Sequence, residues 1–70
     1  MKKRSVKVSG HLTSVSLEEE FWQELKRLAK AEKLSLNGLI EKIDKQRSGN
    51  LQINLSSALR VYVLRQLRRN

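Results

Sequence analysis

Apolar and polar residues alternate in two short stretches near the start of the chain, then give way to helical spacing. Val6 and Val8 share one parity, with Lys7 and Ser9 opposed to them, whereas Thr13, Val15 and Leu17 share the other, with Leu12 and Ser14 opposed. The parity slips at Gly10, which suits a β-bulge or the true start of a strand. The pattern predicts one strand over about 11–15 with no partner strand in its own chain. A lone strand is unstable, so its ladder is expected to come from a second copy.

The segment "SLEE" has the form of a capping box, with Ser16 and Glu19 exchanging side-chain and backbone bonds ahead of a first helix over about 17–32. Leu17, Phe21, Leu25, Leu28 and Ala29 form its apolar stripe, and Trp22 falls at the stripe's border. Acids gather in the first turn and bases in the last, as the helix dipole favours. A second helix follows over about 36–47, with Ser35 as N-cap and Leu36, Leu39, Ile40 and Ile43 as its stripe. Asn37 and Gly38 are weak helix formers in its first turn; their smallness suits either a close helix crossing or the approach of backbone N–H groups to a phosphate. "RSGN" and "LQIN" end that helix and connect it to a third over about 55–68, capped by Asn54 or Ser56. The apolar positions of this third helix, Leu59, Tyr62 and Val63 among them, cover more than one face and imply contacts on two sides. A strand at "RVYVL" is the alternative reading there.

Seventy residues make a single domain with a thin core, and without cysteines the chain has neither a disulfide framework nor a thiolate metal site. One histidine, His11, does not build a metal site, and no cofactor is implied. Small unstapled domains gain burial by associating, so a homodimer is expected, its core formed by Val15, Leu17, Phe21, Leu25, Leu28, Leu36, Leu39, Ile40, Ile43, Leu59, Tyr62 and Val63. The net charge of +8 lies at the two ends. Lys2, Lys3, Arg4 and Lys7 form a basic arm over 1–7, and Arg60, Arg65, Arg68 and Arg69 mark the other end. A polyanion is the natural partner of such a charge, nucleic acid first and a membrane surface as its main rival. "MKKR" is followed by no apolar core of a signal peptide, and the longest apolar run, "VYVL", is far too short to span a membrane. A cytoplasmic, nucleoid-associated protein is expected.

Strand, helix and helix in close succession, "HLTSVSL" then "EEEFWQELKRLAKAEKLSLNGLI", with "NLSSALRVYVLRQL" as an added third helix, resemble the bacterial ribbon-helix-helix family of the MetJ/Arc type. The resemblance implies a mainly α fold: an intertwined homodimer with an intermolecular two-stranded antiparallel β-ribbon, here with an added C-terminal helix. It also implies a repressor-like transcription regulator whose ribbon enters the major groove. By position, Leu12 and Ser14 face base edges, and Ser35, Asn37 and Gly38 meet phosphate. Leu12 offers a base edge only apolar contact, so the basic arm must carry much of the affinity. With a bulge at Gly10, Lys7, Ser9 and His11 join the groove-facing set.

Three other functions compete. An enzyme is opposed by the missing nucleophile–base pairs and phosphate loops. A membrane-surface role lacks a large apolar face joined to the charge. A protein-interaction module of the same fold, antitoxin-like or an adaptor, is the stronger rival. The chain ends on a helix rather than a long tail, which disfavours the antitoxin form, but a protein partner on the third helix remains an alternative.

Overall fold

A computed structural model describes residues 1–46 and 54–69. Two strands, β1 (Lys2–Val8) and β2 (His11–Leu17), precede three helices, α1 (Glu19–Ala31), α2 (Leu36–Gln46) and α3 (Leu55–Arg68). The connection "RSGN" through "LQI" lies outside the described residues.

The lone-strand expectation is corrected. β2 has its partner within the chain: β1 pairs with it antiparallel, Val8 opposite His11 and Lys2 opposite Leu17. The segment expected to be a basic arm is therefore a strand, and Gly10 marks a turn rather than a bulge. Ser9 and Gly10 both have positive φ, 51° and 80°, as a two-residue type I′ hairpin requires. Serine is the less suited of the two, since a non-glycine residue in the left-handed region is strained. Replacing Ser9 with Asn, which tolerates that region, is expected to stabilise the domain by about 0.5 kcal/mol. Thermal unfolding should show a midpoint a few degrees higher.

The inner face of the hairpin carries Val6, Val8, Val15 and Leu17, all buried against the helices. Because Leu17 is needed in this core, the extended backbone runs on through Glu18 before the helix starts. That corrects the predicted start of α1 at Leu17, and it undoes the capping box: Ser16 lies in β2, and Glu18 is the N-cap without a side-chain cap bond. At its other end α1 closes with a Schellman pair, the Leu34 N–H donating to Ala29 O (2.8 Å) and the Lys33 N–H to Lys30 O (3.1 Å). Ser35 caps α2 as expected, its hydroxyl accepting from Gly38 N–H at 2.9 Å, and Asn54 caps α3 through Ser57 N–H at 2.8 Å.

Leu25, Leu28 and Ala29 of α1, Leu39, Ile40 and Ile43 of α2, and Leu55, Leu59 and Val63 of α3 are buried together, with Phe21, Leu36 and Tyr62 packed at the margin. The residues assigned to a dimer core thus close a core within one chain. Trp22, placed at the stripe's border by the sequence, is corrected to the centre, at 0% exposure. Its indole Nε1–H donates to the Lys2 carbonyl at 2.9 Å, and the Arg4 guanidinium lies 5.3 Å from the ring centroid. One aromatic residue therefore ties β1 to α1 by burial, hydrogen bond and cation–π contact.

Candidate nucleic-acid interface

Alternation along the hairpin settles which side chains share its solvent face. Opposite residues project to the same side, so Lys3, Ser5 and Lys7 of β1 stand beside Ser16, Ser14 and Leu12 of β2, respectively. All but the half-buried Ser16 are exposed, and Leu12 is 78% exposed, an unusual position for leucine. The outward placement of Leu12 and Ser14 over a buried Val15 and Leu17 agrees with the expected register.

The four bases of the supposed arm do not act as one group. Lys3 and Lys7 point outward with Leu12 and Ser14. Lys2 and Arg4 are on the opposite face, where Arg4 covers Trp22 and Lys2 approaches Glu19 at 3.9 Å. That ion pair is half-exposed and contributes little. His11 opposes Val8 at the turn end of the inner face but remains exposed, and Ser9 occupies the turn.

The two edges of the hairpin differ. On β1, the Asn37 side chain takes both main-chain groups of Lys7: Asn37 Nδ2 donates to Lys7 O at 2.8 Å, and Lys7 N–H donates to Asn37 Oδ1 at 3.0 Å. A side-chain amide thus does the work of a neighbouring strand. Since these Lys7 groups face away from β2, the ladder bonds belong to the alternate residues. The main-chain groups of Leu12, Ser14 and Ser16 therefore face the outer edge of β2. Arg60 Nη2 reaches Ser16 O there at 3.5 Å. No hydrogen bond from the described residues covers Leu12 or Ser14 on that edge.

Ser35, Asn37 and Gly38 are brought next to the turn end of the hairpin by the Asn37 clamp. The Asn37 amide and the Ser35 hydroxyl are engaged within the chain. A Cβ on Gly38 would come within 3.1 Å of the Ser35 hydroxyl, so the cap itself accounts for glycine at this position. Sequence reasoning missed the clamp, because its partners are thirty residues apart and neither is unusual alone.

Beside α1 and α2, the Glu32 carboxylate accepts from Lys42 Nζ at 2.6 Å and from the Tyr62 hydroxyl. Lys42 first and Tyr62 second hold Glu32 below the ordinary carboxylate range. Burial, and then the Glu32 bond, push the Tyr62 phenol up to about 12. Glu18 is also lowered, mainly by a bond from its own backbone and then by Arg60, whose Nε lies 3.2 Å from the carboxylate. Among the described residues no group of side chains is suited to hold a metal ion, and no helix is long and apolar enough to cross a membrane.

A two-stranded antiparallel sheet that leads directly into packed helices, with small and basic side chains on its free face, defines a ribbon-and-helix domain. The ribbon-helix-helix domain family matches residues 1–67, and the chain belongs to that family. No curated protein and no solved structure matches it.

Proposed function

We propose that the protein is a dimeric, repressor-like transcription regulator that binds double-stranded DNA with the outward face of its ribbon in the major groove. The observation that carries this reading is that face itself: Lys3 and Lys7 flank the exposed Leu12 and Ser14, with no acid among them.

The open edge of β2 supplies the route to a dimer. An unpaired strand edge is a template for another chain, and β2 of a second copy can pair with it antiparallel about a two-fold axis. The four strands then run β1, β2, β2, β1 across the two copies. At about 4.8 Å between strands, each β1 lies roughly 7 Å from the axis. The major groove is about 12 Å wide. Leu12 and Ser14 therefore stand over base edges, with Leu12 suited to a thymine methyl, while Lys3 and Lys7 reach the phosphates at the groove's lips. The main-chain N–H groups of Leu36 and Asn37, in the first turn of α2 beside Ser35 and Gly38, add a phosphate contact near the turn, while the Gly38 N–H is taken by the Ser35 cap. Ser9 and His11 lie at the turn, where they meet backbone rather than bases. In this role the protein works in the bacterial cytoplasm, at the nucleoid, and requires no cofactor.

Selection from a random DNA pool, with sedimentation over a range of protein concentrations, tests both parts. The expected result is a two-fold symmetric motif and a dimer whose unfolding midpoint rises with concentration. A pool without enrichment rejects the DNA reading, and a folded monomer at all concentrations rejects the dimer. One observation favours a second reading, a protein-interaction module: α3 exposes Val61, Leu64 and Leu67 away from the core. A protein partner docked there would leave a pool of DNA unenriched.

A further inference from the structure

Away from the ribbon, the C-terminal halves of α2 and α3 form an open cleft of about 510 Å³. Its lining contains four cations, Lys42, Arg65, Arg68 and Arg69, and no acid. We propose that this cleft is a binding site for a small, multiply charged phosphate ester of nucleotide size.

Charge is the first part of the case. Arg65, Arg68 and Arg69 are spaced i, i+3 and i+4, which makes them neighbours on one side of a helix and mutually repulsive. None has a carboxylate partner among the described residues. The helix dipole favours basic residues at this end, and Lys42 of α2, whose charge Glu32 already pairs, lines the same cleft as a further N–H donor. A phosphate group relieves the repulsion, and guanidinium groups bind it through paired, charge-assisted hydrogen bonds.

Order is the second part. Glu32 does not line the cleft, yet it grips both Lys42 and the Tyr62 hydroxyl, fixing a cation and an aromatic ring in the wall. Preset groups lose less entropy when a ligand arrives. The rest of the lining is neutral: the Tyr62 ring and the amides of Gln46 and Gln66. An aromatic face beside two amides suits a flat, polar, uncharged moiety such as a nucleobase, and the volume is within the range of small-molecule sites.

DNA backbone is the competing polyanion. No residue of β1 or β2 lines the cleft, so an occupant bound there does not engage the ribbon face.

Calorimetry and thermal shift on the full chain test the site with ATP as probe, inorganic tripolyphosphate and adenosine as controls, and a DNA duplex in parallel. Three proteins are compared: the unaltered chain, a cleft variant with Arg65→Gln, Arg68→Gln and Arg69→Gln, and a ribbon variant with Lys3→Gln and Lys7→Gln. ATP is expected to bind saturably with a Kd below about 1 mM and to raise the melting temperature. Tripolyphosphate should bind more weakly and adenosine not at all. The ribbon variant should keep its ATP affinity and the cleft variant lose it at least about tenfold, the loss of roughly one good charge-assisted contact. Arg68→Lys, which keeps the charge without the fork, should be intermediate and guards against a folding defect in the triple variant. Equal ATP binding by the cleft variant overturns the proposal. So does loss of ATP binding in the ribbon variant, or tripolyphosphate binding as tightly as ATP. An unaltered chain that binds no ATP overturns it as well, and if the cleft variant then loses DNA affinity as steeply as the ribbon variant, the cleft belongs to DNA.

Discussion

Trp22→Ala is expected to leave the chain largely unfolded at 25 °C. The side chain has 0% exposure and is the largest in the core. Its removal deletes that buried ring and leaves a cavity, a change that costs about 3–5 kcal/mol in other cores. At roughly 0.05–0.15 kcal/mol per residue, a domain of this size holds about 3.5–10 kcal/mol in all, so this loss alone takes about half or more of a mid-range stability. Two further contacts fail with it: the Lys2 carbonyl loses the indole N–H, and Arg4 loses the ring it covers. Both anchor β1, so the hairpin should detach as the core fails. Trp22→Phe separates the contributions. It keeps most of the apolar contact and an aromatic face for Arg4, and gives up the hydrogen bond, for an expected loss of about 1–2 kcal/mol. Urea titrations followed by circular dichroism check both variants, and a Trp22→Ala protein with an unshifted midpoint would show that the residue is not central to the core.

The same residue shows where sequence reading stops. A helical stripe through Phe21, Leu25 and Leu28 or one through Trp22, Leu25 and Ala29 fits the spacing equally well. What decides between them is a hairpin across the core, whose Lys2 carbonyl accepts from the indole. The hairpin itself has a legible trace in the sequence. A two-residue turn pairs even-numbered residues with odd-numbered ones, as Val6 with Thr13. The slip of parity at Gly10 is thus what an antiparallel hairpin produces, and Ser-Gly between two alternating runs is a turn signal. Within each strand the faces were plain, because a period of two leaves only one register that buries Val15 and Leu17. Helices α2 and α3 were equally plain from their caps and stripes. The start of α1 was not, since Ser16 fits a capping box and a strand alike, and only the demand for Leu17 in the core chooses the strand. The Asn37 clamp and the cleft between α2 and α3 depend on contacts between distant segments, which no local pattern contains.

The division of the basic strand into two faces leads to the other large expected effect. If the outward face binds DNA, Lys3→Gln with Lys7→Gln removes four cations from a dimer, all directed to phosphates. The log–log salt dependence of binding then falls by about 0.9 for each lost phosphate contact, hence by roughly 3–4 in all. Affinity at low salt should drop by about a hundredfold or more for every sequence tested, because phosphates carry no base identity. Stability should change by no more than about 0.5 kcal/mol, as both side chains are exposed. Lys2→Gln with Arg4→Gln removes the same formal charge from the same strand with a different result. Arg4 covers Trp22 and Lys2 lies near Glu19 on the inner face, so the salt slope should stay nearly intact while the unfolding midpoint falls. Fluorescence-anisotropy titrations of each pair against a single duplex at several salt concentrations distinguish the two. Equal losses of slope from both pairs would mean that the strand acts as an undivided basic arm, with the hairpin opened when it meets DNA.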